Sequence, residues 1–113
     1  MIATGLIGGG RWARVIASVL RRIGPGPVRV ASAGNPSAWR ELPEDWVSVD
    51  IAEMLLDPAV GRVIIARRAS HHAATVLAAL RAGKDVLVEK PFCLTRHEAE
   101  DIIDAARGRI CQT

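Results

Sequence analysis

Cysteine is scarce in this sequence, with Cys93 and Cys111 the only two among 113 residues. Two cysteines so placed make neither a disulfide framework nor a zinc-ligand spacing. His71 and His72 are adjacent, so their side chains diverge, and no clustered Cys, Asp or Glu completes a metal site. Long apolar runs are also missing. None approaches the ~18 residues of a membrane span, and the opening Ile2 to Ile7 stretch is too short for a secretory signal core. A glycine cluster follows it where a cleavage site would fall. These absences predict a reduced, cytoplasmic protein with no membrane partner. Charge of one sign is not concentrated either. Fifteen basic against twelve acidic residues leave a net charge of +3, and without a long basic run a nucleic-acid partner is not expected. That mild surplus still suits a phosphorylated small molecule. Internal repeats and low-complexity linkers are absent, and the length gives one domain, residues 1–113.

What is present is an alternation of short apolar runs with longer amphipathic ones. Strands are predicted over Ile2 to Ile7, Val28 to Ala33, Trp46 to Val49, Val63 to Ala66 and Val86 to Val88, with a sixth beginning at Arg109. Between them lie helical patterns. Trp12, Val15, Ile16, Val19 and Ile23 recur at three- and four-residue spacing and predict the buried face of a first helix, which Gly24-Pro25-Gly26-Pro27 ends. A short helix is placed between Asn35 and Pro43. Asp50 to Glu53 reads as a capping box opening the next one, broken at Asp57-Pro58. Ala73, Val76, Leu77 and Leu80 mark another face, closed at Gly83. Thr95 to Glu98 is a second capping box, before a face of Ala99, Ile102, Ile103 and Ala106. Strand and helix in turn argue a doubly wound parallel sheet of the Rossmann type, a three-layer α/β/α sandwich. Ligands in such sheets bind beyond the carboxyl ends of the strands.

The first of those ends carries Gly8-Gly9-Gly10-Arg11-Trp12-Ala13, a G-x-G-x-x-A pattern between a strand and a helix. Gly8 permits a tight turn, Gly10 lets the backbone approach a diphosphate, and Ala13 keeps the helix near the strand. The helix N-terminus adds unpaired N–H groups and partial positive charge. Trp12 adjoins this loop as well as belonging to the helix face. The pattern predicts a dinucleotide site, although a glycine-rich turn in a flavin or mononucleotide binder shares it. At the end of the second strand, Ala31-Ser32-Ala33-Gly34-Asn35 has no acidic residue to bind an adenosine ribose. Without that acid a 2′-phosphate is not repelled, which favours NADP over NAD. Ser32, Asn35, Arg11 and Arg40 are the groups placed to meet the phosphate; the other reading makes Ser32 and Asn35 a simple turn. Trp12 and Trp46 are assigned to the core, and Trp39 is set over the adenine.

The segment Leu80-Arg81-Ala82-Gly83-Lys84-Asp85-Val86-Leu87-Val88-Glu89-Lys90-Pro91 is more specific. With the glycine loop, the Asp57-Pro58-Ala59-Val60 bend and the Thr95 helix in order and spacing, it closely resembles the N-terminal domain of the glucose–fructose oxidoreductase, inositol dehydrogenase and rhizopine-catabolism oxidoreductase family. The resemblance spans residues 1 to about 106. It implies that Lys90 is the catalytic lysine, lying beside the nicotinamide of the cofactor and placed to hydrogen-bond the reacting oxygen and assist proton transfer. It implies that Glu89 contacts the nicotinamide-side ribose and that Pro91 fixes the backbone after the strand, often through a cis peptide bond. Ala66 and Arg67 then fall in the loop that lines the cofactor, and His72 matches the family histidine. Arg67, Arg68 and Ala69 depart from the family's Thr-Pro-Asn. Two arginines there either grip an anion or form a solvated basic turn.

The family's second, substrate-bearing domain is absent from these residues. The chain is therefore expected to bind NADP or NAD, to meet a small-molecule substrate only with that further domain, and to show little turnover alone. A homo-oligomer is compatible with the sheet edges such a fold leaves. The competing reading is a non-catalytic nucleotide-sensing or interaction module on the same fold.

Overall fold

A computed structural model describes residues 2–24, 26–32, 39, 42–43, 45–91, 93–107 and 111–112. The elements run β1 (Ala3–Ile7), α1 (Arg11–Ile23), β2 (Val28–Ala31), β3 (Trp46–Ser48), α2 (Ile51–Leu56), β4 (Val60–Ile65), a 3-10 turn (Ala69–His71), α3 (His72–Arg81), β5 (Asp85–Val88), α4 (Arg96–Ala105) and β6 (Cys111–Gln112). Every pairing between neighbouring strands is parallel. The order is β3-β2-β1-β4-β5-β6. The winding reverses at β1, which pairs with β2 on one side and β4 on the other. A crevice at the carboxyl end of β1 follows from that reversal.

Two cores lie on opposite faces of the sheet, as the three-layer expectation requires. Side chains alternate along each strand, so Ala3 and Ile7 of β1 join Met54 of α2, Val76 and Leu80 of α3 and Ile102 of α4. Leu6 points the other way and packs with Val28, Val30, Trp39, Trp46 and the small residues of α1. That second layer stops short of the β5 side. Ile64 is only half-buried, and Leu87 is 46% exposed.

The buried face of α1 differs from the sequence expectation. Ala13, Ala17 and Leu20 are buried, while Trp12, Val15, Val19 and Ile23 are exposed and Ile16 is intermediate. The reason is the short distance between helix and strand: a β-carbon built on Gly8 would lie 3.0 Å from that of Ala13, which leaves room for alanine and not for a large side chain. Of the predicted α4 face, Ile102 is buried and Ile103 exposed. The Thr95 capping box forms with both hydrogen bonds. The one expected at Asp50 does not form, since Asp50 caps α2 by its backbone conformation and its exposed carboxylate makes no cap bond.

Chain reversals are well defined. Gly24 is left-handed at φ 61° and donates to Leu20 O. Gly83, at φ 82°, donates to Leu80 O while Lys84 N donates to Ala79 O, the paired bonds of a Schellman ending. The strands differ from prediction mainly in length: β4 starts at Val60 and β5 at Asp85. The short helix placed between Asn35 and Pro43, and Arg109, fall mainly or wholly outside the described residues.

Candidate functional site: the crevice at the end of β1

Gly8 leaves β1 with its N–H donating to Ala31 O at 2.8 Å. Its φ is +151°, and a β-carbon there would stand 2.3 Å from Ala66 O, so only glycine fits between β1, β4 and α1. Gly10 is different. It is the N-cap of α1 with an extended backbone and no side-chain cap, and no acidic residue lies in the first helical turn. A β-carbon on Gly10 would meet nothing within 4 Å. Open space therefore lies against the start of α1, beside backbone N–H groups that the glycine N-cap leaves without a side-chain cap. This is what a diphosphate needs at a helix N-terminus, and the residues present fit the group.

The space is part of a crevice of about 560 Å³. Its floor is residues 8–10, and Arg11 and Trp12 open α1 on one rim. Ser32, just past β2, lies on one flank; Ala66, Arg67, Arg68 and His71 from the β4 loop lie on the other. Three guanidinium-bearing residues thus surround it, and among the described residues no carboxylate lines it. Arg67 is anchored: its Nη1 donates to Thr75 Oγ1 at 2.9 Å, and that hydroxyl donates to His71 O at 2.7 Å. Arg68 is exposed.

The expected site residues are thus brought together in part. Gly8, Gly10, Arg11, Trp12, Ser32, Ala66 and Arg67 share the crevice, with Ala13 buried behind it. Trp12 lies at this mouth, 53% exposed, and is not a core residue. Asn35 and Arg40 lie outside the described residues. His72 does not line the crevice. It is buried, with Nδ1 hydrogen-bonded to Pro91 O and Nε2 2.6 Å from Arg67 O. Glu89 and Lys90 line a second groove of about 300 Å³, together with Ile16, Ile64, Leu87 and Val88. The peptide bond between Lys90 and Pro91 is cis, and Glu89 N donates to Ile65 O at 3.0 Å, which fixes the β5 terminus beside the β4 loop. Trp39 is buried rather than set over the crevice, and its indole Nε1 donates to Gly8 O at 3.0 Å. Nothing in the sequence signalled that bond across 31 positions, nor that His71 rather than His72 would face the opening.

The architecture and crevice define a dinucleotide-binding α/β domain. Residues 2–113 match the model of an oxidoreductase family with an NAD-binding Rossmann fold, and the chain belongs to that family. It is 39% identical to D-xylose 1-dehydrogenase (NADP(+)) of Hypocrea jecorina over 57 residues, covering 50% of this chain and 15% of that protein. It is 36% identical to scyllo-inositol 2-dehydrogenase (NAD(+)) of Bacillus subtilis over 75 residues, covering 65% of this chain and 22% of the relative. An NAD binding oxidoreductase from Klebsiella pneumoniae superposes with a TM-score of 0.83 at 27% identity, over 98% of this chain and 33% of its own. The chain thus spans about a third of the length of that structure. Nicotinamide dinucleotides are the family's cofactors, and the relatives divide between NADP and NAD. No helix among the described residues is long and apolar enough to cross a membrane.

Proposed function

We propose that this chain is the cofactor-binding wall of a cytosolic oxidoreductase that takes NADP in preference to NAD. One observation carries the preference: the crevice at the end of β1 is rimmed by Arg11, Arg67 and Arg68, with Ser32 and no described carboxylate beyond β2. A 2′-phosphate meets attraction there, and the repulsion an acidic residue would give is absent.

The bound nicotinamide would supply or accept a hydride. The chain's own residues do the rest. The α1 N-terminus and the glycine loop hold the diphosphate, and the β4 loop flanks it. Lys90, exposed at the end of β5, holds a proton at Nζ for transfer to or from the substrate oxygen. Glu89 is the partner assigned to the nicotinamide-side ribose. The groove beside Lys90, lined by Ile16, Ile64 and Leu87, is the surface on which a further domain completes the substrate site. These 113 residues supply one wall of that site, and enclosing and aligning the reacting groups requires an opposite wall.

Calorimetric titration with NADPH and NADH separately tests this reading. NADPH is expected to bind at least about tenfold tighter, a difference of about 1.4 kcal/mol. Equal affinities would remove the NADP preference. Binding of neither nucleotide would overturn the assignment and favour a nucleotide-independent interaction module built on the same fold.

A further inference from the structure

Three consecutive glycines make the loosest of backbones, because each samples both signs of φ. A loop meant to receive a diphosphate loses affinity if it must be ordered at the moment of binding. Residues 8–10 therefore need restraint from outside the loop. Gly8 receives it at three points. Its N–H is held by Ala31 O, Ala66 O and Ala13 leave no room for a β-carbon on it, and its carbonyl accepts from the Trp39 indole. The first two restrain the residue itself. The third reaches further, since the peptide that follows is planar and turns as one body with its carbonyl.

We propose that Trp39 is a positioning residue for the dinucleotide loop, its indole N–H setting the plane of the Gly8–Gly9 peptide that leads into the start of α1. The inference rests on the cofactor reading above. An indole nitrogen donates and cannot accept, so it recognises a carbonyl without ambiguity, and when buried it needs one. Trp39 is 8% exposed and packs with Leu6, Val28, Val30 and Trp46, between the sheet and α1. The donor is thus fixed by the core, and the bond carries that rigidity to the one part of the crevice with no side chains of its own. Its ring never touches the cofactor and acts only through Gly8.

Trp39→Phe keeps an aromatic ring in the core and removes the donor. The dissociation constants of the variant for NADPH, NADH and ADP-ribose should all rise by one common factor, about tenfold, the size of one neutral hydrogen bond. In 1H–15N spectra of the unliganded protein the Gly9 and Gly10 amides should move. In the parent the Trp39 indole N–H resonance should shift on adding NADPH. If Trp39→Phe does not fold, benzothienylalanine at position 39, which keeps the bicyclic shape without the N–H, gives the same comparison. Unchanged affinity in a parent-like fold, or unmoved Gly9 and Gly10 amides, would overturn the role of Trp39 and leave the cofactor assignment standing. A parent protein that binds none of the three ligands would bring down both.

Discussion

The Nε2 atom of His72 lies 2.6 Å from the carbonyl oxygen of Arg67, a residue that lines the crevice. The other ring nitrogen is hydrogen-bonded to Pro91 O, next to Lys90. One buried imidazole therefore joins the loop that lines the crevice to the segment that carries Lys90. His72→Phe leaves both carbonyls without this partner and should lower stability by about 2–4 kcal/mol. His72→Gln keeps one donor and should fall between the two. Urea unfolding gives the ranking, and a phenylalanine variant as stable as the parent would show that the tie is idle.

Gly8 and Gly10 make opposite demands although they share one motif. A methyl group at Gly8 runs into Ala66 O at positive φ, so Gly8→Ala should destabilise the fold by at least about 2 kcal/mol. The extended backbone and empty surroundings of Gly10 tolerate a side chain, and Gly10→Val should unfold within about 1 kcal/mol of the parent. Its methyl groups would fill the space assigned to the diphosphate, however, and NADPH binding should be lost. Thermal melts run beside calorimetry separate the two effects, and a Gly10→Val protein that still binds NADPH would remove the loop from the site.

Lys90 is exposed and lines the neighbouring groove, not the crevice around residues 8–10. In the proposed function its contribution belongs to the substrate oxygen and not to holding the dinucleotide. Lys90→Ala should accordingly leave the NADPH dissociation constant within about twofold of the parent. A larger loss, measured by the same titration, would move the lysine from proton transfer to cofactor binding.

Strand pairing and site were legible to different degrees. Continuous apolar runs such as Val63 to Ala66 predict strands covered on both faces, and the helices between them predict parallel pairing, which is the arrangement found. The glycine loop was readable because its chemistry is local: Gly8 and Ala13 approach each other across one turn, and Gly10 between them is the N-cap of α1. The Trp39 bond to Gly8 and the His72 bridge between Arg67 and Pro91 span 31, 5 and 19 positions. Side-chain direction, which no periodicity encodes, decides both. The Asp50 box failed for a similar reason, since residue types permit a cap bond without enforcing it.

Lys84 is an unusual buried cation, 5% exposed, whose Nζ donates to Asp57 O at 2.7 Å. It ties the Asp57-Pro58 bend to the start of β5, far along the sheet from the crevice. Lys84→Met keeps most of the buried stem, whereas Lys84→Ala loses both packing and bond. Because a buried charge is itself unfavourable, Lys84→Met should be within about 1 kcal/mol of the parent and Lys84→Ala lower by about 2 kcal/mol. Chemical denaturation measures both. An alanine variant no less stable than the methionine one would mean that the stem contributes nothing.

The exposed stripe on α1 gives the sharpest contrast between hydrophobicity and packing. Ranked by side chain, Val19 and Ile23 belong inside and Ala17 is neutral, yet Ala17 is 5% exposed and Ile23 is 67% exposed. The helix lies so close to β1 at its Ala13 end that size selects the contact face and leaves the larger residues outside. Val19→Lys and Ile23→Lys should therefore each change the stability of this chain by no more than about 0.5 kcal/mol. Ala17→Leu adds volume where the core is filled and should cost about 1–3 kcal/mol. Should either lysine variant prove the more damaging in urea unfolding, α1 sits with its other face on the sheet. The glycine loop would then no longer have Ala13 behind it.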